Sequence, residues 1–141
     1  MENHVQRPAV GDELPVLKKT ITQELVDLYA EASEDRNPLH IDPEFAAGTR
    51  FGRTVAHGQL TLAIVSQAVT RWAWSSYAHG GDLEAAFLGP VVPGDEVVVS
   101  GQVTAVDVTD DGTVAVCDIS AHVEERRVLA ATVRLPLDGG E

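Results

Sequence analysis

A chain of 141 residues, 44% hydrophobic and 23% charged, is long enough to fold around a buried core and is predicted to form a single domain over residues 1–141. Its formal net charge of −12 disfavours nucleic acid and anionic membrane surfaces as partners, because phosphate binding needs clustered Lys and Arg. No apolar run of the roughly 18 residues needed to span a membrane is present, and the one cysteine, Cys117, excludes an intramolecular disulfide and a Cys-rich metal site.

The opening MENHVQRPAV has no apolar core of a secretory signal, so a cytoplasmic protein is expected. Residues 1–12 are polar and read as an irregular lead-in, followed by a first strand over Leu14–Ile21. Thr22 is a helix N-cap, with Glu24 and Asp27 in the early turns where the helix dipole favours acids. Leu25, Leu28, Tyr29 and Ala32 recur at helical spacing and predict the buried face of a helix of about three turns. That helix stops near Ser33, because Asn37-Pro38 cannot continue it.

Residues 33–56 read as a long structured loop with a helical turn around Pro43–Ala47, and such loops are usually functional. His57 to Trp74 follows as the most apolar helix candidate. Leu60, Leu62, Ala63, Ile64, Val65, Ala68, Val69 and Trp72 cover most of its circumference, which predicts a buried helix.

From Leu83 the pattern changes to strands. Val97, Val99, Val103 and Ala105 alternate with Glu96, Ser100, Gln102 and Thr104; Val114–Val123 and Val128–Leu135 follow. Asp110-Asp111-Gly112 marks a hairpin, and Pro90, Pro93 and Gly94 mark another turn. The order predicts an α+β layer fold: a curved antiparallel sheet wrapped around one long buried central helix.

The informative stretch is Tyr29–Ala46, which contains Ser33, Asp35, Asn37-Pro38-Leu39-His40 and Asp42-Pro43. It resembles the hydratase motif of the MaoC-like dehydratases and (R)-specific enoyl-thioester hydratases: an aromatic residue, a small-Gly-Asp-x-Asn-Pro-aliphatic-His-x-Asp-Pro run, then Ala. This chain carries Glu34 where that motif has Gly, which strains the backbone if the position needs a positive φ and sets a second carboxylate beside Asp35. Val55-Ala-His-Gly-Gln-Leu-Thr61 is similar to the family's start of its central helix. Phe87-Leu-Gly-Pro-Val-Val-Pro-Gly-Asp95 is similar to its strand turn. The resemblance covers about residues 11–135 and is nearest to the short single-hotdog members, among them the catalytic subunit of mycobacterial 3-hydroxyacyl-carrier-protein dehydratases. It implies a hotdog fold, no cofactor, an acyl-CoA or acyl-carrier-protein thioester as substrate, and an (R)-3-hydroxyacyl product.

The chemistry can also be argued from the residues. Hydrating an α,β-unsaturated thioester needs a water held at C3 and a proton supplied at C2. A carboxylate and an imidazole that both touch that water can do both, and Asp35 and His40 flank a turn that can aim them at one point. Asn37 offers donor and acceptor groups to fix the turn. Charge developing on the thioester oxygen needs donors already in place, and the helix start at Gly58 supplies backbone N–H groups.

His57 is read as a helix-start residue bonded to backbone, or as one that orients the substrate. Thr61 faces either the site or the core. Arg50 and Arg53 are candidate anchors for the phosphates of CoA or phosphopantetheine, against a plain surface role. Asp42 reads as a local cap. A metal site from His40, Asp42 and His57 lacks any fixed ligand spacing, and no metal is expected. His4, His79 and His122 are expected in solvent, and Trp72 and Trp74 in core or interface packing.

Two rival functions share this fold. A thioesterase would attack C1, and the Asn-Pro-x-His pattern argues against it. A non-catalytic acyl-binding subunit of a heterodimeric dehydratase would be expected to lack the Asp and His that this chain has. A short sheet leaves an edge that proteins normally cover, so a homodimer, or a heterodimer with a related hotdog subunit, is expected.

Overall fold

The computed structural model describes residues 8–137; residues 1–7, with His4 and most of the expected lead-in, lie outside the described residues. Strand β1 (Leu17–Thr20) is followed by helices α1 (Gln23–Ser33), α2 (Pro38–Ile41), α3 (Pro43–Ala47) and α4 (Gly58–Ala78), then by strands β2 (Asp82–Phe87), β3 (Glu96–Thr109), β4 (Gly112–Val123) and β5 (Arg126–Pro136). The strands form one antiparallel sheet in the order β1-β3-β4-β5-β2.

Alternation along the strands builds the core. Val97, Val99 and Val103 of β3, Ala115, Cys117, Ile119 and Ala121 of β4, and Leu129, Val133 and Leu135 of β5 are all buried on one face. Leu60, Ile64, Val65, Ala68 and Val69 of α4 pack against them. Register shifts leave Thr104 of β3 and Val128 of β5 as extra residues, and such bulges bend β3 and β5, as a sheet that curls around a helix requires. This is the α+β hotdog arrangement read from the sequence.

The Asp110-Asp111 hairpin joins β3 to β4, with Gly112 at φ 126°. Some boundaries and buried faces differ from the sequence reading. The end of the expected lead-in is tied to the sheet: Gly11 donates to the Val103 carbonyl at 2.9 Å, and beyond it Leu14 donates to that of Gly101 at 3.1 Å, along the β3 edge. Pro15, with no N–H, separates this segment from β1, so the strand expected over Leu14–Ile21 is shortened to Leu17–Thr20.

Helix α1 has the expected ends and the expected Thr22 cap, whose Oγ1 accepts from Leu25 N at 3.0 Å. Its buried stripe is rotated, however. Val26 and Ala30 are buried and Leu25 and Tyr29 half-buried, while Leu28 is 65% exposed and Ala32 is exposed. Helix α4 runs on to Ala78 through a non-helical Ala73 (φ −140°, ψ 48°), four residues beyond the expected Trp74. It is buried on one face only: Ala63 and Trp74 are exposed, Leu62 and Trp72 half-buried, because one sheet wraps one side of the helix. Among the described residues no helix is long and apolar enough to cross a membrane.

Candidate active site

The loop between α1 and α4 is more regular than expected. Asn37-Pro38 and Asp42-Pro43 are each an N-cap followed by Pro at the first helical position, where its missing N–H costs nothing. Asn37 Oδ1 accepts from Leu39 N at 3.0 Å. Asp42 Oδ1 accepts from Glu44 N at 3.0 Å and Phe45 N at 3.2 Å, the capping role read from the sequence. The two caps fold the loop back so that Asp35 and His40 approach the start of α4.

Asp35 is exposed, but its backbone is fixed at both ends. Ser33 Oγ accepts from Asp35 N at 3.2 Å, and His57 Nε2 donates to the Asp35 carbonyl at 2.9 Å. One carboxylate oxygen accepts from Asn37 N at 3.3 Å. Just before it, Glu34 caps α1 in the left-handed region (φ 62°), the conformation anticipated for the position where the resembling motif carries Gly.

His40 is half-buried, and its Nδ1 lies 2.6 Å from the Val55 carbonyl. A carbonyl only accepts, so Nδ1 carries a hydrogen, and the neutral tautomer that this bond selects has its bare nitrogen at Nε2. His57 is 2% exposed. Its ring stacks on that of His40, centroids 3.8 Å apart and planes at 26°, and lies 4.8 Å from the ring of Tyr29. Since His57 Nε2 donates to Asp35, its Nδ1 is the acceptor, and that buried atom has no protein partner. One nitrogen each of His40 and His57 and one oxygen of Asp35 lie within 4.8 Å of one another. The carboxylate in this group is Asp35 and not Asp42, whose Oδ1 caps α3 instead.

His57 is also the N-cap of α4, and its side chain does not cap the helix. The first N–H groups of any α-helix lack intrahelical partners, so those at Gly58 and Gln59 lie beside the trio. A Cβ on Gly58 would meet Phe87 Cδ1 and Cε1 at 3.2 Å: the glycine lets the ring of Phe87, from the end of β2, lie across the helix start. Thr61, one turn on, is buried.

Arg50 and Arg53 are exposed. Arg50 lies over the Phe51 ring at 4.7 Å, and Arg53 donates to the Pro93 carbonyl at 2.7 Å, which holds the 90–95 turn. His79 is exposed, as expected, and half-buried His122 is not fully in solvent.

Gln23 was not picked out by sequence reasoning. Its Nε2 donates to the His40 carbonyl at 2.9 Å and to Asp27 Oδ1 at 2.8 Å, and its Oε1 accepts from Thr54 Oγ1 at 2.7 Å. The only local signal is its place in the first turn of α1, which says nothing of partners 17 and 31 residues away.

A curved sheet around a central helix, with an Asp and a His converging on that helix's start, defines the hotdog hydratase and dehydratase class. The chain belongs to the MaoC like domain family, whose model matches residues 6–124. It is 37% identical over 109 residues to 3-hydroxyacyl-thioester dehydratase Z of Mycobacterium tuberculosis, covering 74% of this chain and 72% of that one. It is 39% identical over 80 residues to the (R)-specific enoyl-CoA hydratase of Aeromonas caviae, covering 57% and 60%. The solved (R)-hydratase from A. caviae involved in PHA biosynthesis superposes with a TM-score of 0.77 at 29% identity, over 93% of this chain and 98% of that one.

Proposed function

We propose that this protein is a hydro-lyase that reversibly hydrates an enoyl thioester, carried on CoA or an acyl-carrier protein, to the (R)-3-hydroxyacyl thioester. The observation that carries this is a ring nitrogen of His40 within 4.8 Å of an Asp35 carboxylate oxygen, beside His57 at the N-terminus of the central helix. Both groups accept hydrogen bonds. A water between them donates one O–H to each and turns a lone pair towards C3. As its oxygen bonds to C3, one proton passes into the pair and the thioester oxygen takes up negative charge. The N–H groups at Gly58 and Gln59 meet that charge. The pair then returns a proton to C2. In dehydration the pair removes the C2 proton and protonates the departing hydroxyl.

Asn37 supports the turn that aims the pair, and His57 orients it. Buried Thr61 backs the helix start. Arg50, with no ion pair among the described residues, is the better phosphate anchor, since Arg53 spends a donor on Pro93. Asp35 and His40 come from one short loop and approach the substrate from one face, so water and proton add syn. The A. caviae relative's name supports the (R) sense.

The partner is a second hotdog chain, a copy or a related subunit. Among the described residues, no strand lies beside the outer edge of β2. At its end Phe87 and Leu88 are 51% and 49% exposed, next to Gly58, so an apposed chain would cover the open side of the site. Light scattering at micromolar concentration should give a dimer or, for a heteromer, a partner-dependent mass. The setting proposed is the cytoplasm.

The test is to incubate the protein with but-2-enoyl-CoA and follow enoyl absorbance, free thiol and product configuration. Loss of absorbance without thiol release, giving a product that an (S)-specific 3-hydroxyacyl-CoA dehydrogenase does not oxidise, supports the reading. Thiol release would indicate a thioesterase and overturn it.

A further inference from the structure

Helix α2 is a single turn, too short to satisfy its own carbonyls. The His40 carbonyl takes its hydrogen bond from Gln23, on α1. His40 reaches forward to Val55: its Nδ1–H goes to the Val55 carbonyl at 2.6 Å, and Val55 N donates to the Leu39 carbonyl at 3.2 Å. Thr54, the residue before Val55, returns to Gln23 through its hydroxyl at 2.7 Å. The chain of contacts closes into a ring: Gln23 to His40, His40 to Val55, the peptide bond back to Thr54, and Thr54 to Gln23. Every polar atom of the Gln23 carboxamide is used, which fixes the orientation of the amide. Thr54 is 7% exposed, so water does not readily replace its bond.

We propose that Gln23 is the positioning residue for His40, holding the α2 turn against the 54–57 segment so that the His40 Nδ1–H···Val55 bond persists and Nε2 stays aimed at the substrate. The ring matters because two separate segments must meet. His40 lies on one side of α3 and Val55 on the other, and neither α2 nor the extended 54–57 stretch is rigid alone. If the carboxamide is removed, the α2 turn keeps its Asn37 cap but loses its tie to α1 and its link to Thr54. The His40 ring can then swing away from Val55. Small displacements of a catalytic group weaken catalysis strongly, by up to about a hundredfold for 1 Å.

This rests on the hydro-lyase reading for its kinetic arm, whereas its spectroscopic arm needs no substrate. In ¹⁵N-labelled full-length protein the hydrogen-bonded Nδ1–H of His40 should give a downfield proton signal, assigned by its loss in His40→Gln. In Gln23→Ala and in the near-isosteric Thr54→Val that signal should broaden or vanish through solvent exchange, while Thr54→Ser keeps it. With but-2-enoyl-CoA, kcat should fall about tenfold or more in the first two variants with KM within about twofold, and Thr54→Ser should remain near wild type. Gln23→Ala/Thr54→Val should be no slower than Gln23→Ala alone, because one ring is broken once. A His40 signal unaltered in both Gln23→Ala and Thr54→Val overturns the proposal, including the case where activity falls only in step with thermal stability. Should the wild type leave but-2-enoyl-CoA untouched, the activity reading fails, and the His40 signal still decides the positioning role.

Discussion

The imidazole of His57 lies face to face with that of His40 at 3.8 Å, while its Nε2 donates to the carbonyl of Asp35. One buried ring thus touches both members of the proposed acid–base pair, and the next residue, Gly58, begins the central helix.

Asp35→Asn and His40→Ala should each lower kcat by on the order of 10²–10⁴, the range for losing a general acid or base. Both positions are outside the core, so the far-ultraviolet circular dichroism should stay near wild type. Near wild-type turnover in either variant removes the pair from the mechanism.

His57→Phe retains a flat ring to stack on His40 but deletes the donor to Asp35; His57→Ala deletes both. The expected order of kcat is therefore wild type, then Phe, then Ala, with His57→Ala also the less stable through the cavity it leaves. Steady-state kinetics and urea melts of the two variants test this. Equal losses in both would mean that the stack contributes nothing.

Glu34 pays a conformational penalty that glycine would not, since L-residues are disfavoured at its φ of 62°. Its side chain is exposed, so little is lost by removing it. Glu34→Gly should raise stability by about 1 kcal/mol, seen as a higher urea midpoint at unchanged slope. A lower midpoint would show that the carboxylate has a role that offsets the strain.

Burial, with the neighbouring Asp118 carboxylate second, pushes the Cys117 thiol up to about 11. The thiolate is the reactive form, so native protein should resist a thiol reagent at pH 8 and react at once when unfolded. The unfolded thiol ionises first, so this group's share of the stability is intact below about pH 8.5 and declines as pH rises from there towards 11. Rapid labelling of the native protein would contradict the burial.

Much of this protein is written locally. Thr22 caps α1 through its own hydroxyl, Asn37-Pro38 and Asp42-Pro43 start α2 and α3, and Asp110-Asp111 turns β3 into β4. Each signal works through bonds spanning a few residues, so sequence alone sufficed to read it. That Asp35 and His40 lie close together was legible for the same reason, as they flank one capped turn. The buried stripe of α1 was not, because the choice between Val26 and Leu28 depends on what lies opposite. Nor was the extent of α4's burial, since helical spacing cannot tell how far a sheet wraps. The contacts that aim the pair join residues 15, 17, 22 and 31 positions apart, from His40 to Val55, Gln23 to His40, Asp35 to His57 and Gln23 to Thr54. Only the folding of α1, the loop and α4 onto one sheet brings those groups within hydrogen-bond reach, and no local pattern encodes a partner that the chain meets only after it has folded.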